Sequence, residues 1–224
     1  MPRCECASQH VPRRIVLTGG PGAGKTSVLE LVRQAFFQHV RVLPEAASLV
    51  FGGGFPRGEL LESRRAAQRA IFHVQRELER EAEAHGPAIV LCDRGTVDGL
   101  AYWPGDADQL WSEVASDEAR ELTRYAAVIH LATPALEYGY NHQNPLRVES
   151  PTTAAEIDAR IRHAWRHHPK RHVVESSVEF LDKVARALTL LRAELPACCA
   201  GHHVPSVPGE ETRLPASPTC ADCD

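Results

Sequence analysis

The chain has 224 residues and a formal net charge of −4, with 43% hydrophobic and 24% charged residues. These values are typical of a globular domain and argue against a broad nucleic-acid or anionic-membrane surface. No apolar run approaches the roughly 20 residues that cross a bilayer, and the opening MPRCECASQHVPRR lacks the apolar core of a signal peptide. We therefore expect a cytoplasmic protein without a transmembrane segment or a nucleic-acid partner.

The first predicted element is a buried strand at residues 14–18, after a leader at residues 1–13 that we expect to be flexible. The strand runs into GGPGAGKT, where the spacing Gly19-x4-Gly24-Lys25-Thr26 fits a phosphate-binding loop rather than a plain glycine-rich turn. Glycines let the backbone approach an anion closely, and amide groups at the following helix start surround it. Lys25 would contact the outer phosphates and Thr26 would bind Mg2+. The predicted nucleotide-binding residues are Gly19, Gly20, Pro21, Gly22, Ala23, Gly24, Lys25, Thr26 and Ser27.

A second strand is predicted at residues 40–43, and Glu45 follows it. In a parallel sheet this position lies near the phosphate loop, where a carboxylate can take a proton from an attacking hydroxyl. Glu45 could equally orient a metal-bound water or pair with an arginine. A glycine-rich loop at residues 51–58 then leads to a helix at about 59–85. Its spacing predicts a buried stripe of Leu61, Ala67, Ala70, Ile71, Val74 and Leu78.

A third apolar strand, at residues 88–92, ends at Asp93 and Arg94. A carboxylate at this strand end is placed to hold Mg2+, and an arginine beside it can contact a phosphate. The alternative is that Asp93 caps the next helix while Arg94 pairs with a surface acid. For Asp98, stabilising the positive end of that helix is preferred over substrate binding. Cys92 is predicted to be a buried, inert thiol.

A fourth strand is predicted at 126–131 and a fifth at 172–174, with an arginine-bearing helical lid at about 134–170 between them. Arg147 is the best lid arginine, because later arginines could lie on a solvated helix face. Two capping boxes, beginning at Thr153 and Ser176, predict the starts of the last two helices. His163, His167 and His168 are interpreted as surface histidines. Strands that alternate with helices predict an α/β fold, a three-layer α/β/α sandwich around a five-stranded parallel sheet.

The remaining cysteines lie near the chain ends, at Cys4, Cys6, Cys198, Cys199, Cys220 and Cys223. The pairs Cys4/Cys6 and Cys220/Cys223 could join His202 and His203 in a zinc site. Because residues 196–224 are proline-rich and lack apolar periodicity, we expect instead a disordered tail with loose thiols.

Several segments together resemble the NadR-like ATPase/kinase domains, which belong to the P-loop nucleotide-kinase relatives. They are GGPGAGKT, PEAA at 44–47, AAQRAIFHVQRELE, CDRGTVDGLAY and NPLRVES, within a region of about 14–195. The resemblance implies a sheet of order 2-3-1-4-5, ATP or GTP with Mg2+, and a nucleoside-like acceptor. It carries over to the phosphate loop, to Asp93 and Arg94, and less closely to Glu45, Gln68, Gln75 and Arg147.

The chain departs from the bifunctional members of that family, because the HxGH nucleotidyltransferase signature is absent from its sequence. We therefore do not expect pyridine-nucleotide adenylylation. The guanine-reading Asn-Lys-x-Asp motif is also absent, which favours ATP over GTP. The first hypothesis is an Mg-ATP-dependent small-molecule kinase with Lys25, Glu45, Asp93, Arg94 and Arg147 as its catalytic residues. The second is a nucleotide-binding switch that hydrolyses slowly and has no small-molecule acceptor.

Overall fold

The computed structural model describes residues 10–35, 39–134, 151–177 and 179–197. Its centre is a sheet of five parallel strands in the order β2-β3-β1-β4-β5. The predicted fold class and strand order are therefore confirmed, and each predicted strand agrees with an observed one to within one residue. The strands are β1 (Arg13–Thr18), β2 (Val40–Leu43), β3 (Ile89–Asp93), β4 (Ala127–Leu131) and β5 (Arg171–Val174).

Helices cover both faces of the sheet, which explains why its central strands are apolar on both sides. Every residue of β4 is buried, and so are Ile15 to Thr18 of β1. One core lies against α1 and α7, and the other against α3, α6 and the segment after β3. The helices are α1 (Lys25–Ala35), α2 (Ala46–Gly52), α3 (Leu61–Glu83), a 3₁₀ helix (Thr96–Ala101), α4 (Ala107–Glu113), α5 (Glu118–Thr123), α6 (Pro151–Ala164) and α7 (Phe180–Arg192).

The predicted buried stripe of α3 is wrong in part. Ala67 is buried, but Leu61 is half exposed, and the face turned to the core carries the polar residues Gln75 and Glu79. Both polar groups have partners, Gln75 within α3 and Glu79 also on other elements. Glu79 Oε1 accepts hydrogen bonds from Gln75 at 2.9 Å and from the Tyr125 hydroxyl at 2.8 Å.

Glu79 belongs to an ionic network under α3 that we call the buried network, formed by Arg14, Arg76, Glu79, Glu121 and Arg124. Glu79 Oε2 pairs with Arg124, and with Arg14 at 3.5 Å. Glu121 accepts hydrogen bonds from Arg76 at 2.7 Å and, through Oε2, from the Thr96 hydroxyl at 2.8 Å. Both carboxylates are completely buried, and each of their oxygens has a hydrogen-bond or ion-pair partner. Such an arrangement is the condition under which buried charge is tolerated.

The two predicted capping boxes are wrong. Helix α6 begins at Pro151, two residues before Thr153, and proline suits a first helical position because it has no amide hydrogen to satisfy. Helix α7 begins after Glu179, while the Ser176 hydroxyl donates 3.1 Å to the Ala132 carbonyl instead. Cys92 is buried as predicted, and burial raises the pKa of its thiol well above the ordinary value.

His168 is also corrected. His163 and His167 are exposed as predicted, but His168 is buried and its Nε2 lies 2.9 Å from the Tyr125 carbonyl. In the described part of the chain, no helix is long and apolar enough to cross a membrane. Arg147, most of the predicted lid loop, the leader before residue 10 and the tail cysteines and histidines lie outside the described residues, so those predictions remain predictions.

Candidate functional site

The segment between β1 and α1 has the backbone of a tight anion-binding loop. Gly19, Gly22 and Gly24 have φ values of 138°, 78° and 92°, a region that favours glycine. A Cβ atom at Gly19 would lie 2.1 Å from the Leu131 carbonyl oxygen, and one at Gly24 would lie 2.5 Å from the Phe180 ring. Only glycine therefore fits at these two positions. Because the first four amides of a helix lack intrahelical partners, the start of α1 can hold an anion.

Lys25 begins α1 and folds over this loop. Its Nζ donates hydrogen bonds to the carbonyls of Gly19 at 3.0 Å and Gly20 at 3.2 Å. Burial lowers the pKa of Lys25 to about 8, and nearby Arg94 acts in the same direction. Asp93 and Glu45 oppose this shift. The ammonium group thus lies over the loop with two carboxylates near it, where a phosphate would compete with the two carbonyls.

Asp93 ends β3, and its register partner Leu17 is on β1, one residue before the strand ends. Its Oδ1 is buried and has no hydrogen-bond partner among the described residues. Burial raises the pKa of Asp93 to about 6, against the effect of Lys25. A buried carboxylate oxygen without a donor is suited to a hard cation or to a water bound to one.

Asp93 and the exposed Thr26 hydroxyl are oxygen donors of the kind that Mg2+ prefers. Within the described ranges, no group of three His, Cys, Asp or Glu side chains could hold a metal ion by itself. This agrees with the habit of Mg2+, which is usually bound by one or two protein groups together with phosphate and water. The residues present therefore fit Mg2+ accompanied by a nucleotide.

Arg94 and Glu45 form an ion pair beside Asp93. Arg94 Nε lies 2.7 Å from Glu45 Oε1, and the Ser48 hydroxyl donates 2.6 Å to Glu45 Oε2. Burial favours the neutral form of Glu45, but Arg94 and Ser48 hold its pKa below the ordinary value. Arg94 Nη1 has no hydrogen-bond partner within the described ranges, although it lies 3.6 Å from Asp98 Oδ1.

The backbone of Arg94 has φ 70°, which is uncommon for a residue with a side chain. Its amide donates 3.1 Å to the Leu17 carbonyl, so the strained residue is fixed to β1. Such outliers concentrate at functional sites, where surrounding contacts hold the strain.

Asp98 has more contacts than the sequence predicts. Its Oδ2 accepts the Gly95 amide at 2.8 Å, which is the helix-start role that was predicted. It also accepts the Trp165 indole N–H at 3.2 Å, and Oδ1 accepts the Thr18 hydroxyl. Asp98 therefore joins the ends of β1 and β3 to the end of α6. We call Lys25, Glu45, Asp93, Arg94 and Asp98 the edge cluster.

The predicted acceptor side comprises Gln68, Gln75 and the glycine-rich loop. Gln75 is buried, and its side-chain amide donates to Glu79 of the buried network. Gln68 lies near Gly99, on the side of α3 that faces the 3₁₀ helix. Gly52 and Gly54 border open space, and Arg57 stacks over the Phe51 ring at 4.3 Å. The acceptor-side prediction therefore stays a prediction.

Three residues that contact the phosphate loop or its support were missed by sequence reasoning. Asp158 Oδ1 accepts the Gly20 amide at 2.7 Å and lies 3.0 Å from His130 Nε2. Lys183 Nζ donates 2.8 Å to the Ala23 carbonyl, and burial lowers the pKa of Lys183 to about 8. In a sequence, a single Asp or Lys on an amphipathic helix usually indicates the solvent-exposed face. The one signal that could have identified these residues is a polar side chain at a position predicted to be buried.

The loop, the strand-end carboxylate and the sheet order together define the P-loop class of nucleotide-binding folds. A family model described as an AAA domain matches residues 14–181, and the chain belongs to this family. The more specific resemblance to NadR-like domains remains a prediction. No curated protein sequence matches the chain.

A solved structure described as thymidylate kinase from Ehrlichia chaffeensis has the same fold, with a TM-score of 0.52. The sequences are 16% identical, and the match covers 80% of this chain and 98% of that one. At this identity the likeness shows the P-loop kinase-like fold and nothing finer.

Proposed function

We propose that the protein transfers a phosphoryl group from Mg-ATP to a small, nucleoside-like acceptor. The observation that carries the proposal is the edge cluster, where Lys25, Arg94 and the unpartnered oxygen of Asp93 meet beside a glycine-rich loop. Phosphoryl transfer requires positioning and neutralisation of negative charge more than covalent chemistry from the protein. The solved structure with the same fold is described as a kinase, which supports the same proposal.

In this proposal the loop amides and Lys25 hold the phosphates of ATP. Lys25 would exchange its hydrogen bonds to Gly19 and Gly20 for phosphate oxygens, which are stronger acceptors because they are charged. Thr26 and Asp93 would hold Mg2+, which neutralises phosphate charge when bound. Arg94, whose Nη1 has a hydrogen to donate, would contact the transferred group, and Arg147 is the proposed second arginine.

Glu45 has two roles open to it. As a general base it would accept the proton of the acceptor hydroxyl, which requires a carboxylate within hydrogen-bond reach of that group. As a positioning residue it would hold Arg94 through the 2.7 Å ion pair. The lowered pKa makes Glu45 a weaker base than a free glutamate, and this favours the second role.

The engagement of both Glu45 oxygens is also the observation that favours a second candidate function, a nucleotide-binding switch without an acceptor. In a switch, slow hydrolysis needs only the phosphate loop, Mg2+ and an ordered water. The charged groups of the edge cluster would then order the metal and that water.

A coupled assay of ADP release separates the two candidates. Purified protein with Mg-ATP is screened against nucleosides, nucleotides, sugars and vitamins, with the Lys25→Ala variant as the background control. Turnover that rises with one acceptor class, together with a product one phosphate heavier by mass spectrometry, supports the kinase. Acceptor-independent hydrolysis supports the switch, and no turnover above the Lys25→Ala background contradicts both.

A further inference from the structure

The phosphate loop lies directly on helix α6. A Cβ atom at Gly20 would lie 2.4 Å from the Thr133 hydroxyl, 2.8 Å from Asp158 Cβ and 3.0 Å from the Ala154 carbonyl. No side chain fits there without moving the loop or the helix. The Gly20 amide therefore comes close enough to donate its 2.7 Å hydrogen bond to Asp158.

Two other side chains, Thr133 and His130, also contact the carboxylate of Asp158. Its Oδ1 also accepts from the Thr133 hydroxyl at 3.3 Å and lies 3.0 Å from Nε2 of the fully buried His130. Because a carboxylate oxygen only accepts hydrogen bonds, the proton between Asp158 Oδ1 and His130 Nε2 belongs to His130. Asp158 is 8% exposed, so its charge has little water and depends on these donors.

The same helix also supports the other half of the edge cluster. Trp165, seven residues after Asp158 and just beyond the end of α6, donates to Asp98 and contacts the position of Gly95. Residues seven apart lie on one helical face. Helix α6 and the residue that follows it therefore contact both the phosphate loop and the segment after the strand-end carboxylate Asp93.

We infer that Asp158 is a positioning residue for the nucleotide, because it fixes the phosphate loop on α6 through the Gly20 amide and so sets where the loop amides meet the phosphates. This inference depends on one part of the proposed function, namely that a nucleotide binds to the phosphate loop. Asp158 acts through Gly20 and does not itself touch the ligand.

The first experiment measures the loop without any nucleotide. Hydrogen exchange of the peptide that contains residues 19–24 is compared in the wild type, Asp158→Ala and Asp158→Asn, with Glu156→Gln as a matched control on an exposed position of α6. We expect exchange of the loop amides to be about tenfold faster in Asp158→Ala, the effect of losing one charge-assisted hydrogen bond. Glu156→Gln should exchange like the wild type. Equal exchange in all four proteins overturns the inference, whether or not the protein binds ATP.

The second experiment measures the dissociation constant of Mg-ATP by calorimetry for the same proteins and for Gly20→Ala and its double variant with Asp158→Ala. We expect Asp158→Ala to weaken binding by about tenfold or more, while circular dichroism shows a folded protein. Because Gly20 and Asp158 share one contact, the double variant should lose less than the product of the single losses. Glu156→Gln combined with Gly20→Ala should be multiplicative.

A purely structural Asp158 would lower the melting temperature but leave the affinity of the folded protein and the double-variant cycle unchanged, which overturns the inference. The inference is also overturned if neither Asp158→Ala nor Asp158→Asn folds. If the wild type itself binds neither ATP nor GTP, the proposed function fails, while the exchange experiment still decides the inference.

Discussion

The edge cluster and the buried network are built from the same residue types and differ in how their charges are satisfied. In the buried network, every oxygen of Glu79 and Glu121 has a donor or an ion-pair partner and neither side chain is exposed. Both regions contain buried arginine nitrogens without a hydrogen-bond partner in the described ranges, but only the edge cluster contains such a carboxylate oxygen, Asp93 Oδ1. Arginine–carboxylate pairs therefore occur in both regions, and the feature that distinguishes the edge cluster is a carboxylate oxygen without a donor at the carboxyl ends of the strands.

The largest expected difference between the two regions follows from removing Lys25. Lys25→Ala should reduce nucleotide turnover to background, because its ammonium group is the positive charge that lies over the phosphate loop. The side chain packs in neither core, so the melting temperature should change little. Turnover and thermal denaturation are measured on the same preparation, with Lys170→Ala as the control lysine. Wild-type turnover in Lys25→Ala would remove the basis of the proposed function.

Glu45→Gln tests the edge cluster more finely. If Glu45 is the general base, transfer to the acceptor should fall by about 10²–10⁴-fold while the affinity for Mg-ATP stays the same. Ser48→Ala is the matched control, because it removes the hydrogen bond to Oε2 but leaves the carboxylate. Transfer rates and nucleotide affinities with and without Mg2+ are compared. Unchanged transfer with weaker Mg2+ dependence would reject the base and favour the switch.

Glu79→Gln tests the buried network. The change leaves Arg14 and Arg124 without a charged partner at this position, and we expect a loss of about 3–5 kcal/mol in the free energy of unfolding. The lower end is expected, because both arginines keep some contact with water. Urea denaturation measures the loss, and Glu77→Gln on the exposed face of α3 is the control. Nucleotide affinity of the folded protein should stay near wild type. A strong loss of affinity without loss of stability would erase the distinction between the two regions.

The sequence predicts the sheet, its order and the phosphate loop because these depend on local patterns of apolar runs and glycine spacing. It also places Asp93, Arg94 and Glu45 together, since parallel strands end at one edge. It does not predict the burial of Gln75 and Glu79, because a polar helix face becomes core only when arginines from distant segments neutralise it. The sequence also does not predict the roles of Asp158 and Lys183. Their role depends on the distance to backbone groups of another element.

The smallest expected effect concerns Lys183, whose pKa is lowered from 10.5 to about 8 by burial, against the effect of Asp158. Below pH 8 the lysine is charged in both states, and folding carries the full cost of the buried charge. Between about pH 8 and 10.5 only the unfolded chain keeps the proton, so stability rises with pH. The free energy of unfolding of the wild type should therefore rise relative to that of Lys183→Met between about pH 8 and 10.5. Chemical denaturation at several pH values measures it, and a constant difference would contradict the burial of a charged Lys183.

The supports of the phosphate loop come late in the chain. Gly20 and Asp158 are 138 residues apart, and Ala23 and Lys183 are 160 apart. Strand β1 also pairs with two strands that follow it at a distance, β3 and β4. During synthesis, the central strand and its loop therefore leave the ribosome long before the residues that fix them. Long-range pairing of this kind slows folding. The contacts that fix the nucleotide site can therefore be completed only after residue 183 has left the ribosome.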